Sequence, residues 1–189
     1  MKTDDTRYTR VACLLHWLIA ALILTQITLG LVMDHLTFDD MLAFSLFQTH
    51  RALGIVTLVL VLLRVIWRFG HNPPALPNAL PPKVQKLAKS AHSLLYVGQL
   101  ISPLSGWALA SASSLALPLS LFGLFDWPLL PFPSDGSLEA PFRAVHHWAG
   151  WFLAALVAGH IGAALWHGLF RKDGVFTQIL PHFRIRKSS

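Results

Sequence analysis

Four histidines lie on one uncharged run between Arg143 and Arg171, AVHHWAGWFLAALVAGHIGAALWHGLF. An imidazole serves near neutral pH as a base, a proton carrier or a metal ligand. Inside an apolar run of membrane length it is costly enough to imply a task. Spacing narrows the task. His146 and His160 are about four turns apart at about 3.6 residues per turn, so they leave a helix on nearly the same face, about 21 Å apart along its axis. His147 points elsewhere, and His167, about two turns beyond His160, returns to the His146 face. Gly150, Gly159 and Gly162 thin the backbone beside them. One helix that holds ligand nitrogens at two depths suits two flat cofactors, one near each surface of a membrane.

The elements that must position these side chains follow from composition. With 54% hydrophobic and 13% charged residues, the chain is too apolar for an ordinary soluble domain. Four apolar runs are each long enough to cross a hydrocarbon core of about 30 Å. They predict an all-α fold, an integral membrane four-helix bundle forming a single domain over residues 1–189. The expected spans are about 11–33, 47–69, 91–115 and 145–170. Span 1 carries His16 and, on the same side, Gly30; span 2 opens with His50 and Gly54; span 3 opens with His92 and should bend at Pro103 and Gly106. The first run is too long for a signal-peptide core and leads into HLTFDD rather than a small-residue cleavage site. HNPPALPNALPP reads as an extended connector, because its prolines forbid a helix. The stretch 116–143 reads as a long loop whose Trp127 and phenylalanines suit the headgroup interface. Cys13 is the one cysteine, so there is no internal disulfide, and without C-x-x-C-H there is no covalent haem attachment.

The net charge of +6 would suggest nucleic acid in a soluble protein. Here the basic residues flank the spans and set orientation instead, with no nucleic-acid partner. Apart from Arg51 and Arg143, every Lys and Arg lies in the N-terminal segment, from Arg64 to Lys89, or from Arg171 onward. The two opposite loops hold Asp34, Asp39, Asp40, Asp126, Asp135 and Glu139. Both termini are therefore expected on the cytoplasmic side of a bacterial inner membrane.

On that topology the histidines sort by depth: His50 with His146 near the outer surface, His16 with His160 toward the inner one. Each pair could clamp an iron from both sides, the ligation of two b-type haems. Two imidazoles leave iron no open position, which favours electron transfer over oxygen chemistry. His92 and His167, both toward the inner side, could line a quinone pocket, contact a haem propionate or face the headgroups; either could instead replace a member of the inner pair. Arg51 and Arg143, beside the outer ligands, could pair with propionates, and Arg64 and Arg68 could do so inside. His35, His71, His147 and His182 read as interfacial residues. A non-redox metal transporter is disfavoured, because the spans hold no intramembrane carboxylate.

The chain resembles the bacterial cytochrome b561 family, four-helix di-haem b proteins of the inner membrane. The resemblance rests on LLHWLIA, QTHRALGIVTLVLVLLRVIWR, AHSLLY, LFGLF and VHHWAGWFLAALVAGHIGAALWHGLFRKDGVFTQILP, in this order and spacing. It implies haem ligation by His16, His50, His146 and His160, with the last helix serving both haems. A pairing that uses His92 instead is similar to the animal and plant cytochromes of like name. The resemblance further implies electron exchange with the quinone pool, ubiquinone first, and superoxide:ubiquinone oxidoreductase chemistry as one form of it. The acidic outer loops do not steer an anion such as superoxide inward. The alternative from another class is a haem-bearing membrane anchor that wires a partner dehydrogenase or hydrogenase to quinone. The lipid bilayer, a quinone and a redox partner protein are the expected partners, with the chain a monomer or a homodimer.

Overall fold

A computed structural model describes residues 7–35, 41–75, 81–115, 117–133 and 135–180. His182, the basic tail from Arg184 to Lys187, Asp39 and Asp40 lie outside the described residues. Four long helices follow in order: α1 Arg10–Met33, α2 Met41–Gly70, α3 Pro82–Ala112 and α4 Glu139–Leu165. The helix of α4 continues as a π-helical stretch, Trp166–Arg171, and a short 3₁₀ turn follows at Phe176–Ile179. Thr9 caps α1 by accepting from the Ala12 N–H at 3.2 Å.

Helices α1 and α2, and α4 together with its π-helical end, are long and apolar enough to cross a membrane. The expected third span, 91–115, falls on α3, which is as long as the others but carries Lys83, Lys86, Lys89, Gln99 and five serines from Ser90 to Ser111. It can be more polar because it packs between α2 and α4 rather than lying wholly against lipid. The helix runs unbroken through Pro103. Helix α2 starts at Met41, ahead of its expected start, and α4 starts at Glu139. Polar hydroxyls inside the helices turn back on their own backbones, Thr25 to Ala21, Thr28 to Leu24, Thr57 to Leu53 and Ser111 to Trp107. That removes the cost of an unpaired hydroxyl in hydrocarbon.

Neighbouring helices pack in sequence, α1 on α2, α2 on α3 and α3 on α4, while α1 and α4 barely approach each other. The seam between them stays wide. Ile19, Ile23, Val61, Leu95 and Leu153 form the buried core, one or more from every helix. Elsewhere α4 and its π-helical continuation bury almost nothing, with Trp148 70% and Phe170 70% exposed. In lipid such a surface carries no hydrophobic penalty, so the helix can remain open on most of its circumference.

The loop 116–143 contains an element the sequence did not reveal. Strands β1 Leu119–Leu121 and β2 Phe125–Trp127 pair antiparallel, with Leu119 opposite Trp127 and Leu121 opposite Phe125. Three-residue strands are shorter than the alternation needed to recognise a strand. The turn puts Phe122 at φ 54° and Gly123 at φ 75° and closes with Leu124 N–H donating to Leu121 O at 3.0 Å. Glycine accepts that conformation freely, whereas phenylalanine is strained in it. Leu119 and Leu121 bury against Ile55, Trp107 and Trp127. Trp107 Nε1 donates to Pro128 O at 2.9 Å, and Leu130 N–H donates to Ser111 Oγ at 3.0 Å, which ties the hairpin to the end of α3.

Candidate cofactor site

The histidines predicted to pair face each other across the open seam. His50 on α2 and His146 on α4 have ring centroids 6.0 Å apart, and His16 on α1 and His160 on α4 have theirs 6.3 Å apart. Neither pair is in hydrogen-bond contact. A metal held at about 2 Å by one nitrogen of each ring, with each ring centre about 1 Å farther back, puts the centroids about 6 Å apart. Both gaps have the width of one bis-imidazole metal. Among the described residues no group of three or more His, Cys, Asp or Glu is placed to hold a metal ion alone. His50 and His146 form one facing pair of imidazoles, and His160 faces both His16 and His92; a pair of this kind could hold a haem iron.

The His50–His146 level, the one expected toward the outer surface, would fit such a group in three further ways. His146 Nδ1 lies 2.9 Å from Ser102 O, and a carbonyl only accepts, so Nδ1 carries the proton and Nε2 presents its lone pair to the seam. A backbone carbonyl that accepts from Nδ1 commonly fixes a metal-binding imidazole in this way. Ser105 Oγ, 3.2 Å from the same nitrogen, donates its own proton to Ser102 O at 2.8 Å and steadies the carbonyl. Glycine supplies the room. A Cβ on Gly106 would stand 2.9 Å from His146 Cε1, and one on Gly30 3.9 Å from His50 Cε1. A Cβ on Gly150, Gly159 or Gly162 would meet nothing within 4 Å, so these positions of α4 face open space.

The His16–His160 level, expected toward the inner surface, differs. Arg64 Nη1 donates to His16 Nδ1 at 3.0 Å, and Arg64 Nε to the Tyr96 hydroxyl at 3.2 Å, which puts a guanidinium against this pair and leaves the His16 ring proton on Nε2, so a metal on Nε2 would require Arg64 to leave Nδ1. His92 on α3 also faces His160, at a centroid distance of 5.5 Å. Two imidazoles therefore compete for the position opposite His160, and the His16 gap is the wider and closer to that of the outer pair. The apolar core, with Ile19, Ile23 and Leu153 at its centre, fills the space between the two levels.

The remaining candidates have partners of their own. Arg51, next to His50, donates to Gln48 Oε1 at 2.7 Å and to Leu117 O at 3.1 Å, which anchors the strand of chain leading into the hairpin. Its Nε is buried without a partner among the described residues. Arg143 is largely exposed and pairs with Glu139 at 2.5 Å. His167 lies in the π-helical stretch, whose wider turn breaks the phase relation expected from a straight α-helix. Its Nδ1 is 2.6 Å from Asp173 Oδ2, and Arg171 Nε is 3.4 Å from the same oxygen. Burial opposes the charged form of Asp173, but the hydrogen bonds from His167 and from the Val175 N–H outweigh it and hold this carboxyl below the usual carboxylate range. His71 stacks on Trp67, and His147 touches Trp148 edge-on, as interfacial rings do.

Three supporting residues escaped the sequence reading. Gln26 Nε2 on α1 donates to His50 O at 3.0 Å and fills the space left by Gly54, whose Cβ would stand 3.2 Å from it. Ser102 and Ser105 hold His146. A glutamine in an apolar span is a signal in itself, but serine is too common in helices to stand out.

A family profile described as prokaryotic cytochrome b561 matches residues 7–182. Cytochrome b561 homolog 2 of Escherichia coli (strain K12) is 29% identical over 175 residues, 92% of this chain and 91% of that protein. Cytochrome b561 homolog 1 of the same organism is 30% identical over 138 residues, 71% of this chain and 74% of that protein.

Proposed function

The chain belongs to the prokaryotic cytochrome b561 family, whose members are haem-bearing membrane proteins of electron transport, and from that premise we propose that it carries electrons across a bacterial inner membrane between two b haems and the quinone pool. His50 and His146 would hold the outer haem, and His16 and His160 the inner one. The observation that carries the reading is the pair of metal-wide gaps, 6.0 Å and 6.3 Å, opened by a single helix at two depths. Haem, when bound, supplies an iron that takes up and gives back one electron.

The protein's part is to position and insulate. Helix α4 sets the separation, about 21 Å along its axis between His146 and His160. Ser102 orients His146 so that Nε2 faces the seam. The apolar core between the levels keeps water and ions from the path. Arg64 places a fixed positive charge against the inner pair, which favours the more reduced state there. With both termini and the connector after α2 on the cytoplasmic side, His92 and His167 lie at the inner end, where they would serve a quinone. The whole chain, residues 1–189, would act as one domain, as monomer or homodimer, with ubiquinone and a redox partner protein at its ends.

Anaerobic reduction kinetics of the purified protein test the reading. Ubiquinol is expected to reduce it, or ubiquinone to reoxidise it, within seconds. If quinone exchanges no electrons while a co-purifying dehydrogenase does so rapidly, the chain is an anchor subunit instead. Rapid reduction by superoxide would assign the more specific superoxide:ubiquinone chemistry. His92→Ala is expected to keep two haems per chain and to slow only the quinone reaction. Loss of one haem in that variant would move the inner ligand from His16 to His92.

A further inference from the structure

The two imidazoles of the His50–His146 pair are not held alike. His146 Nδ1 has its acceptor in Ser102 O at 2.9 Å. His50 Nδ1 is buried and has no hydrogen-bond partner among the described residues. A ring that gives Nε2 to a metal keeps its proton on Nδ1, and a buried N–H without an acceptor is costly. A second orphan stands beside it. Gln26 Oε1 on α1 is likewise buried and without a partner among the described residues. The other arm of the same carboxamide is in use, since Nε2 donates to His50 O at 3.0 Å. A carbonyl only accepts, so the amide nitrogen faces it and the free arm is the oxygen. A buried donor and a buried acceptor, each unpartnered, are thus carried by two residues that already touch.

Glycines on both helices frame this contact. A Cβ on Gly30, about one turn beyond Gln26 on α1, would stand 3.9 Å from His50 Cε1, the ring carbon between the two nitrogens. That edge of the imidazole is therefore turned toward α1. A Cβ on Gly54 would stand 3.2 Å from Gln26 Nε2, so glycine there leaves the carboxamide its room. A long polar side chain in an apolar span is costly and ordinarily has a task. One bond to a backbone oxygen uses only the donor half of what a carboxamide offers.

We propose that Gln26 is the positioning residue of His50: its Oε1 accepts the Nδ1 proton, so that Nε2 keeps its lone pair for a metal in the seam. The inference rests on the His50–His146 pairing proposed above and adds what tunes that level. A modest turn of the imidazole about its Cβ–Cγ bond brings the two atoms together. The bond to His50 O survives that turn, because it is made to the backbone. An acceptor on Nδ1–H makes the imidazole a more basic ligand, which favours oxidised iron. Glutamine supplies the acceptor without a charge, in a span where a carboxylate would be costly.

Potentiometric titration of the haem-loaded protein tests it, the step of the His50–His146 level being the one that survives in His160→Ala. Gln26→Met, similar in volume but without a strong acceptor, is expected to raise that step alone. The reduced-to-oxidised ratio at a fixed potential should grow about tenfold, an upward shift of about 59 mV for one electron. Gln26→Glu keeps an acceptor oxygen and is expected to hold the step at or below its starting value. Gly54→Ala crowds the amide without removing it and should raise the same step by less. A step unmoved by Gln26→Met overturns the proposal while the pairing stands. So does an equal rise in Gln26→Met and Gln26→Glu, which would leave the residue a packing role only. If His160→Ala retains both haems or neither, the pairing itself has failed and the proposal falls with it.

Discussion

Replacing His160 by alanine is expected to halve the haem content of the purified protein, from two per chain to one, with the outer haem left in place. His146→Ala should give the reciprocal result. The expectation follows from the two gaps being separate. His146 faces His50 and His160 faces His16, on opposite sides of the core formed by Ile19, Ile23, Val61, Leu95 and Leu153. An alanine at either position would remove one of the two facing imidazoles at that level and leave the other level both of its own. Haem per chain, measured as the pyridine haemochrome against protein mass, gives the count. The dithionite-reduced α band and low-temperature electron paramagnetic resonance tell which haem remains. A variant that keeps both haems at full occupancy would end the pairing, and loss of both would mean that the two levels do not load independently.

The second large effect is expected at a residue that carries no ligand atom. Gly106→Val should remove the outer haem selectively. Even the Cβ would stand 2.9 Å from His146 Cε1, closer than side chains tolerate, and the two methyl groups of valine have to displace the ring. Overpacking of this kind costs about 1–3 kcal/mol. Moving the ring also breaks the bond from His146 Nδ1 to Ser102 O that aims Nε2. Gly30→Ala is the matched control, because its Cβ would meet His50 Cε1 at an ordinary 3.9 Å, and it should retain both haems. Retention of the inner haem in Gly106→Val separates a local effect from misfolding. Full outer occupancy in that variant would mean that His146 does not hold the orientation it has here.

These two expectations differ in how far the chain itself announced them. The histidine ladder on α4 was legible from spacing alone, since a helix of fixed rise and period converts sequence distance into depth and face. Helix existence was equally plain, because apolar runs of membrane length have few other folds. Spacing alone marks Gly106 only as a point where span 3 should bend. Its actual use, making room for an imidazole from a different helix, depends on which face of α3 meets α4, and one-dimensional spacing holds no information about that.

Arg64 makes the same point with charge. By sequence it was one of several basic residues near an inner span end, suited to anchoring the helix or to pairing with a propionate. In the folded chain it reaches across to His16 and Tyr96. The hairpin Leu119–Trp127 was invisible for another reason: strands of three residues carry no period, and its pairing depends on burial against Ile55 and Trp107 far along the chain.

What the sequence determined by itself is therefore whatever a single helix fixes internally: the four helical runs, the charge that flanks each, and the two positions along α4 at which it presents ring nitrogen. What only the tertiary structure decided is everything that takes two elements at once. That covers the width of the seam at each level, the competition between His16 and His92 for the place opposite His160, and the turn of His167 toward Asp173. The division has one physical cause. Rise and twist along a helix are set by local backbone hydrogen bonds, whereas the rotation of one helix against another is set by side chains that are distant in sequence and meet only when the chain has folded.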